Sequence, residues 1–118
     1  MKYLCLIYYP EAAVDGMTDA QWQALVDRCL TYGEGLRASG HMLGGEPLRP
    51  VAETRTVQVR DGAMTVTDGP FAETREQLAG FYLIEAADMD EATAIAARIP
   101  PAPLGHIEVR PVRQLPER

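Results

Sequence analysis

Seven residues near the start, Tyr3-Leu4-Cys5-Leu6-Ile7-Tyr8-Tyr9, constrain the fold more than any other stretch. Side chains alternate between the two faces of a strand, and here both faces are apolar. A strand without a polar face is central in its sheet and is covered on both sides. The chain's own helices supply one cover. No second helical layer is evident, so the other cover is expected from a partner subunit. The apolar run ends at Pro10 with no small-residue cleavage site, so it reads as a first strand and not as a secretory leader.

The elements that follow are read in order. Pro10 to Met17 reads as a loop. Thr18-x-x-Gln21 is a capping box that opens a helix. Trp22, Leu25, Val26, Cys29, Gly33 and Leu36 form its apolar stripe, and Gly40 stops it. Gly33 and Gly35 weaken the helix internally. Close packing on the sheet is the preferred account of them, with room for a ligand as the other. His41-Met42-Leu43 begins a second strand that breaks at Gly44-Gly45 and reaches Glu46-Pro47-Leu48.

Asp61-Gly62 is a two-residue hairpin signal between Thr56–Arg60 and Ala63–Thr67. The register it sets pairs Val59 with Met64, Gln58 with Thr65, Val57 with Val66 and Thr56 with Thr67. Apolar meets apolar and polar meets polar, as one buried and one wetter face require. Asp68-Gly69-Pro70 then turns the chain, and residues 71–77 are expected to make one or two helical turns. Leu78 to Glu85 is a strand with Phe81 and Leu83 on one face and Tyr82 and Ile84 on the other. Asp88-x-x-Glu91 caps a second long helix with the stripe Ala92, Ile95, Ala96, Ile99, and the prolines at 100, 101 and 103 end it. His106 to Val112 is the last strand.

With the hairpin as an insertion, this order is βαββαβ, an α+β ferredoxin-like fold. The length of 118 residues fits a single domain, residues 1–118. Seventeen acidic against eleven basic residues give a net charge of −6. That argues against nucleic acid and against an anionic membrane surface as partners. No apolar run is long enough to span a membrane, and a cytoplasmic location is the default expectation. Cys5 and Cys29 have no metal-ligand spacing, so two buried thiols are expected, without zinc or a disulfide. No cofactor motif is present: Gly44-Gly45 lacks the Lys and helix of a phosphate loop.

Several stretches together resemble one known family. They are Met1-Lys2-Tyr3-Leu4, Gly44-Gly45-Glu46, Val57-x-Val59-Arg60-Asp61-Gly62, Thr67-Asp68-Gly69-Pro70-Phe71-Ala72-Glu73-Thr74, Gly80-Phe81-Tyr82-Leu83-Ile84 and Ile107-Glu108-Val109-Arg110-Pro111. The chain resembles the YCII-related superfamily, in its DGPF-motif branch, over nearly its whole length. The resemblance implies a dimeric α+β barrel in which two ferredoxin-like sheets pack face to face. It also implies company with extracytoplasmic-function sigma factors. For more distant relatives it implies an enzyme with a His–Asp pair in a cleft, the His lying on the first helix. This chain has no His there, only His41 and His106, so the pair does not carry over.

The candidate catalytic residues are Asp68, Glu73 and His106. Asp68 sits at a strand end before a tight turn, as a general base or as an acceptor for a ligand hydroxyl. A turn or cap role explains it equally simply. Glu73 and Glu76 share a face if that stretch is helical, and with Asp68 they make an acidic cluster; a solvated helix start is the plainer account. His41 and His106 open the two edge strands, far apart in one chain. His106 shares a face with Glu108 and Arg110. Tyr8, Tyr82, Phe71 and Arg110 are the candidate ligand-binding side chains. Phe71 and Phe81 are also expected to anchor the Asp68–Tyr82 stretch in the core.

Three functions fit these residues. The first is a homodimeric small-molecule-binding or regulatory accessory module. The second is a cofactor-independent lyase or isomerase that moves a proton with Asp68. The third is an interaction module beside a sigma factor.

Overall fold

The computed structural model describes residues 1–118. Its main sheet has four antiparallel strands in the order β2-β5-β1-β6: Met42–Pro47, Gln77–Glu85, Lys2–Tyr9 and His106–Pro111. Strands β3 (Arg55–Arg60) and β4 (Ala63–Asp68) form a separate two-stranded sheet. Helices α2 (Asp19–Ala38) and α3 (Met89–Ala97) complete the ferredoxin-like α+β order. The first strand is central and the second and last strands are the edges, as the sequence requires.

Helix α2 begins where its capping box places it. Thr18 Oγ1 accepts from the Gln21 N–H at 3.1 Å, and Gln21 Oε1 accepts from the Thr18 N–H at 2.9 Å. Such a cap contributes about 1 kcal/mol. Gly40, at φ +81°, lets the chain turn so that the His41 N–H reaches the Leu36 carbonyl at 2.8 Å. In α3, Asp88 accepts from the Glu91 N–H at 2.8 Å. Glu91 returns to the Ala87 N–H instead of to Asp88, and its Oε1 also meets His41 Nε2 at 3.2 Å. His41 is thereby a clasp between β2 and α3. The stripe residues Ala92, Ile95 and Ala96 of α3 are buried, and so is Ile99 just past its end.

The core lies between the sheet and the two helices. Tyr3, Cys5 and Ile7 of β1 and Ile84 of β5 meet Leu36, Ala92, Ile95, Ala96 and Ile99. Leu4, Leu6 and Tyr8 point the other way. Their register partners on β5 are Leu83, Phe81 and Leu78, so the second face of the sheet is an apolar surface without cover in the protomer. On β6 the same face carries Arg110, Glu108 and His106 as a polar border.

Four local expectations change. The loop after Pro10 contains a short helix, α1 (Glu11–Asp15). Glu11 ties it down, receiving the Val51 N–H on its carboxylate and giving its own N–H to Gln77 Oε1. Residues 71–76 are not helical; the chain bends there and enters β5 at Gln77. Gln77 Nε2 donates to the Thr74 carbonyl and the Thr74 hydroxyl donates to the Glu76 carbonyl, so side chains do the work a helix would have done. Phe71 does not anchor the core: it is 91% exposed. The hairpin has the predicted register around Asp61-Gly62, both residues with positive φ, but no buried face. Val57, Val59, Met64 and Val66 are all exposed.

Candidate functional site

The stripe of α2 is only half used for packing. Leu25, Gly33 and Leu36 are buried, whereas Val26 and Cys29 are half-buried and Trp22 is 44% exposed. The cause lies in the sheet below. The strand positions under the first half of the helix are Gly45, Ala79 and Gly80, which have almost no side chain to fill the gap. Ala79 faces this way because β1 and β5 slip register between Ile7 and Tyr8. Larger side chains are excluded at Gly80, where a Cβ would lie 2.9 Å from the Glu46 carbonyl oxygen.

The result is an open groove of about 250 Å³ between α2 and the sheet. Trp22, Val26 and Cys29 form its helix wall, and Tyr9, Met42 and Tyr82 its sheet wall. Gly33 serves this space and not close packing. A Cβ at Gly33 would meet only Arg37 Nη1 at 3.6 Å and Met42 Cε at 3.9 Å, ordinary contacts. A second concavity of about 230 Å³ continues past Tyr9, Trp22 and Ala79 toward Arg49 and Pro50.

The groove is apolar with few polar groups, the usual make-up of a small-molecule site. Burial disfavours the ionised forms of its phenols and its thiol. Burial pushes the Tyr82 phenol up to about 12, with the Arg37 guanidinium opposing. Burial likewise raises the Tyr9 phenol and the Cys29 thiol. Cys29 lines the groove as an apolar group, and its burial disfavours the thiolate. Cys5 and Cys29 are both free thiols.

The other sequence candidates lie elsewhere. Asp68 is at the end of β4 opposite Arg55, whose Nε is 3.5 Å away. Its side chain is 90% exposed and accepts no backbone N–H. The turn is held without it: Gly69, at φ +95°, gives its N–H to the Thr54 carbonyl, and its own carbonyl accepts from the Thr56 hydroxyl. Glu73 is exposed in the bend that follows. Phe71 is solvent-facing, and neither it, Tyr8 nor Arg110 lines either groove. Of the four candidate ligand-binding residues, Tyr82 alone faces the α2 groove.

His106 has a partner that the sequence did not single out for it. Its Nδ1 lies 2.8 Å from Glu76 Oε2, joining the head of β6 to the bend before β5. The hydrogen bond to Glu76, and then its negative charge, raise the His106 pKa. Gly105 is required beside this pair, because a Cβ there would meet the Tyr8 carbonyl and Glu76 Oε1 at van der Waals overlap. Nearby, partial burial and then the Glu108 carboxylate raise the Tyr8 phenol. No three His, Cys, Asp or Glu side chains converge to hold a metal ion, and no helix is long and apolar enough to cross a membrane.

The pattern that identifies the groove was present in the sequence in two parts. One was the stripe with a Trp at its N-terminal end. The other was Gly44-Gly45 and Ala79-Gly80, placed on adjacent strands. Their juxtaposition depends on the β2–β5 register, in which Pro47 pairs with Gly80 and Gly45 with Tyr82.

Comparison with known proteins places the chain. The profile of the YCII-related domain matches residues 1–116. An uncharacterized protein of Rhizobium meliloti (strain 1021) is 46% identical over 114 residues, which is 95% of this chain and 92% of that protein. With a match over nearly the whole length and a relative this similar, the chain belongs to the YCII-related family.

Proposed function

We propose that the protein is a homodimeric module whose protomers each bind a small, largely apolar molecule in the groove between α2 and the sheet. The observation that carries this is the groove itself: a helix stripe left uncovered above a floor of Gly45, Ala79 and Gly80. An apolar stripe of that kind loses about 25 cal/mol for each Å² left in water. A ligand that fills the space recovers that energy.

The dimer rests on the unpaired face of the sheet. A compact monomer of this mass exposes about 6,300 Å², whereas this protomer exposes 8724 Å². Its radius of gyration is 16.4 Å, against about 13–14 Å for a compact chain of this length. The uncovered sheet face shares this surplus with the projecting hairpin and the exposed C-terminal tail. Leu4, Leu6, Phe81 and Leu83 are the side chains a second copy would cover.

A thermal-shift screen of small apolar compounds tests the ligand reading. A ligand at a hundredfold excess over its Kd stabilises the native protein by about 2.7 kcal/mol. Ala79→Leu fills the floor, and that variant loses the shift. A screen without a stabiliser, or one whose hits stabilise Ala79→Leu equally, contradicts the reading.

An acid–base enzyme built on Asp68 has weaker support, since that carboxylate is 90% exposed and faces Arg55. The docking role beside a sigma factor draws on a different observation, the exposed strip Val57, Val59, Met64 and Val66 on the hairpin. A purified sigma factor that fails to bind the native protein counts against it.

A further inference from the structure

We infer that the groove takes a carboxylate with a small apolar body, its acid group held by Arg37; this rests on the groove being a ligand site. Arg37 lies one turn beyond Gly33, and the missing Gly33 side chain lets the guanidinium lie over the groove wall, with Nη1 3.6 Å from where a Cβ would stand. The five ion pairs of the molecule leave Arg37 out. It is an exposed positive charge at the edge of an apolar cavity, with no protein carboxylate within 4 Å.

Glu46 borders the same groove but offers its backbone there. Alternation places Gly45 and Pro47 on the groove side of β2, and Glu46 opposite Phe81 on the other face. Tyr82 adds a second donor. Tyr32 spends its hydroxyl on the Ile95 carbonyl at 2.7 Å, but the Tyr82 hydroxyl is left for the groove. A phenol and a guanidinium that line the same groove can both donate to one carboxylate, the guanidinium through its planar fork. The remaining wall is Trp22, Val26, Cys29 and Met42, which suits one or two rings or a short branched chain.

Trp22 is the only tryptophan of the chain and borders both this groove and the neighbouring concavity, so its emission reports binding at either, and the Arg37 variants assign the signal to this site. The probes are 3-phenylpropionate and its neutral counterpart 3-phenyl-1-propanol, both transparent where indole is excited. The carboxylate is expected to shift Trp22 emission to the blue and to bind at least about tenfold more tightly than the alcohol, the worth of one charge-assisted pair. Arg37→Met keeps the stem and removes the charge, and there the carboxylate's advantage disappears; Arg37→Lys restores part of it. Equal binding of both probes to the native protein overturns the carboxylate assignment and leaves the groove as a site. An advantage that survives in Arg37→Met overturns the role of Arg37. Failure of both probes to alter Trp22 emission overturns the site together with its ligand class.

Discussion

His106 and Glu76 are the residues whose meeting most changes how the Asp68–Tyr82 stretch is understood. That stretch is rich in groups that do acid–base chemistry, yet Asp68 and Glu73 face water. Glu76 alone is partly covered, and it is spent on His106. The pair fastens the bend of residues 71–76 to the head of β6. Its pH dependence has a definite sign. An unperturbed histidine titrates near about 6.5, and Glu76 raises the folded-state value above that. The contact is therefore fully present below the unfolded value and is lost as pH rises through the raised folded value. In Glu76→Gln the His106 ring, followed by nuclear magnetic resonance, is expected to titrate lower than in the native protein. An unchanged titration contradicts the assigned cause.

At the scale of elements, the local rules succeeded where chemistry is local. The capping box of α2, the left-handed stop at Gly40 and the pairing around Asp61-Gly62 all depend on neighbours within a few residues. The alternation of β5 was legible for the same reason, and so was the central place of β1. The misplaced apolar residues have one origin. Phe71 and the valines of the hairpin were assigned to a core because apolar residues are usually buried, but burial depends on what lies opposite, and nothing in this chain does. Residues 71–76 have a helical start signal in Pro70, yet Gln77 and Thr74 hydrogen-bond their own neighbourhood and divert the chain. The groove was legible only as its separate halves. Its floor is made by two strands distant in sequence, and no periodicity within either predicts that their glycines align.

The whole protomer is a slab, with extents of 48 × 46 × 19 Å. One sheet and one layer of helices account for that thickness, and 14 of 118 residues are buried. Such a body leaves one sheet face uncovered. Native protein is expected to sediment at twice its chain mass of 13.0 kDa. Leu6→Lys puts a charge at the middle of the uncovered face, where burying it unpaired costs several kcal/mol, so that variant is expected to sediment as a folded monomer. Native protein that is monomeric at micromolar concentration contradicts the dimer.

The groove is distinct from that face and opens on the helix side of the slab. The measurement that tests it most directly is a titration of uniformly ¹⁵N-labelled protein with a fragment library, read by amide shifts. The predicted result is a set of perturbed amides at Gly33, Gly45, Ala79, Gly80 and Tyr82. Perturbations confined to Asp68–Glu73, or none at all, contradict the assignment of the groove as the functional site.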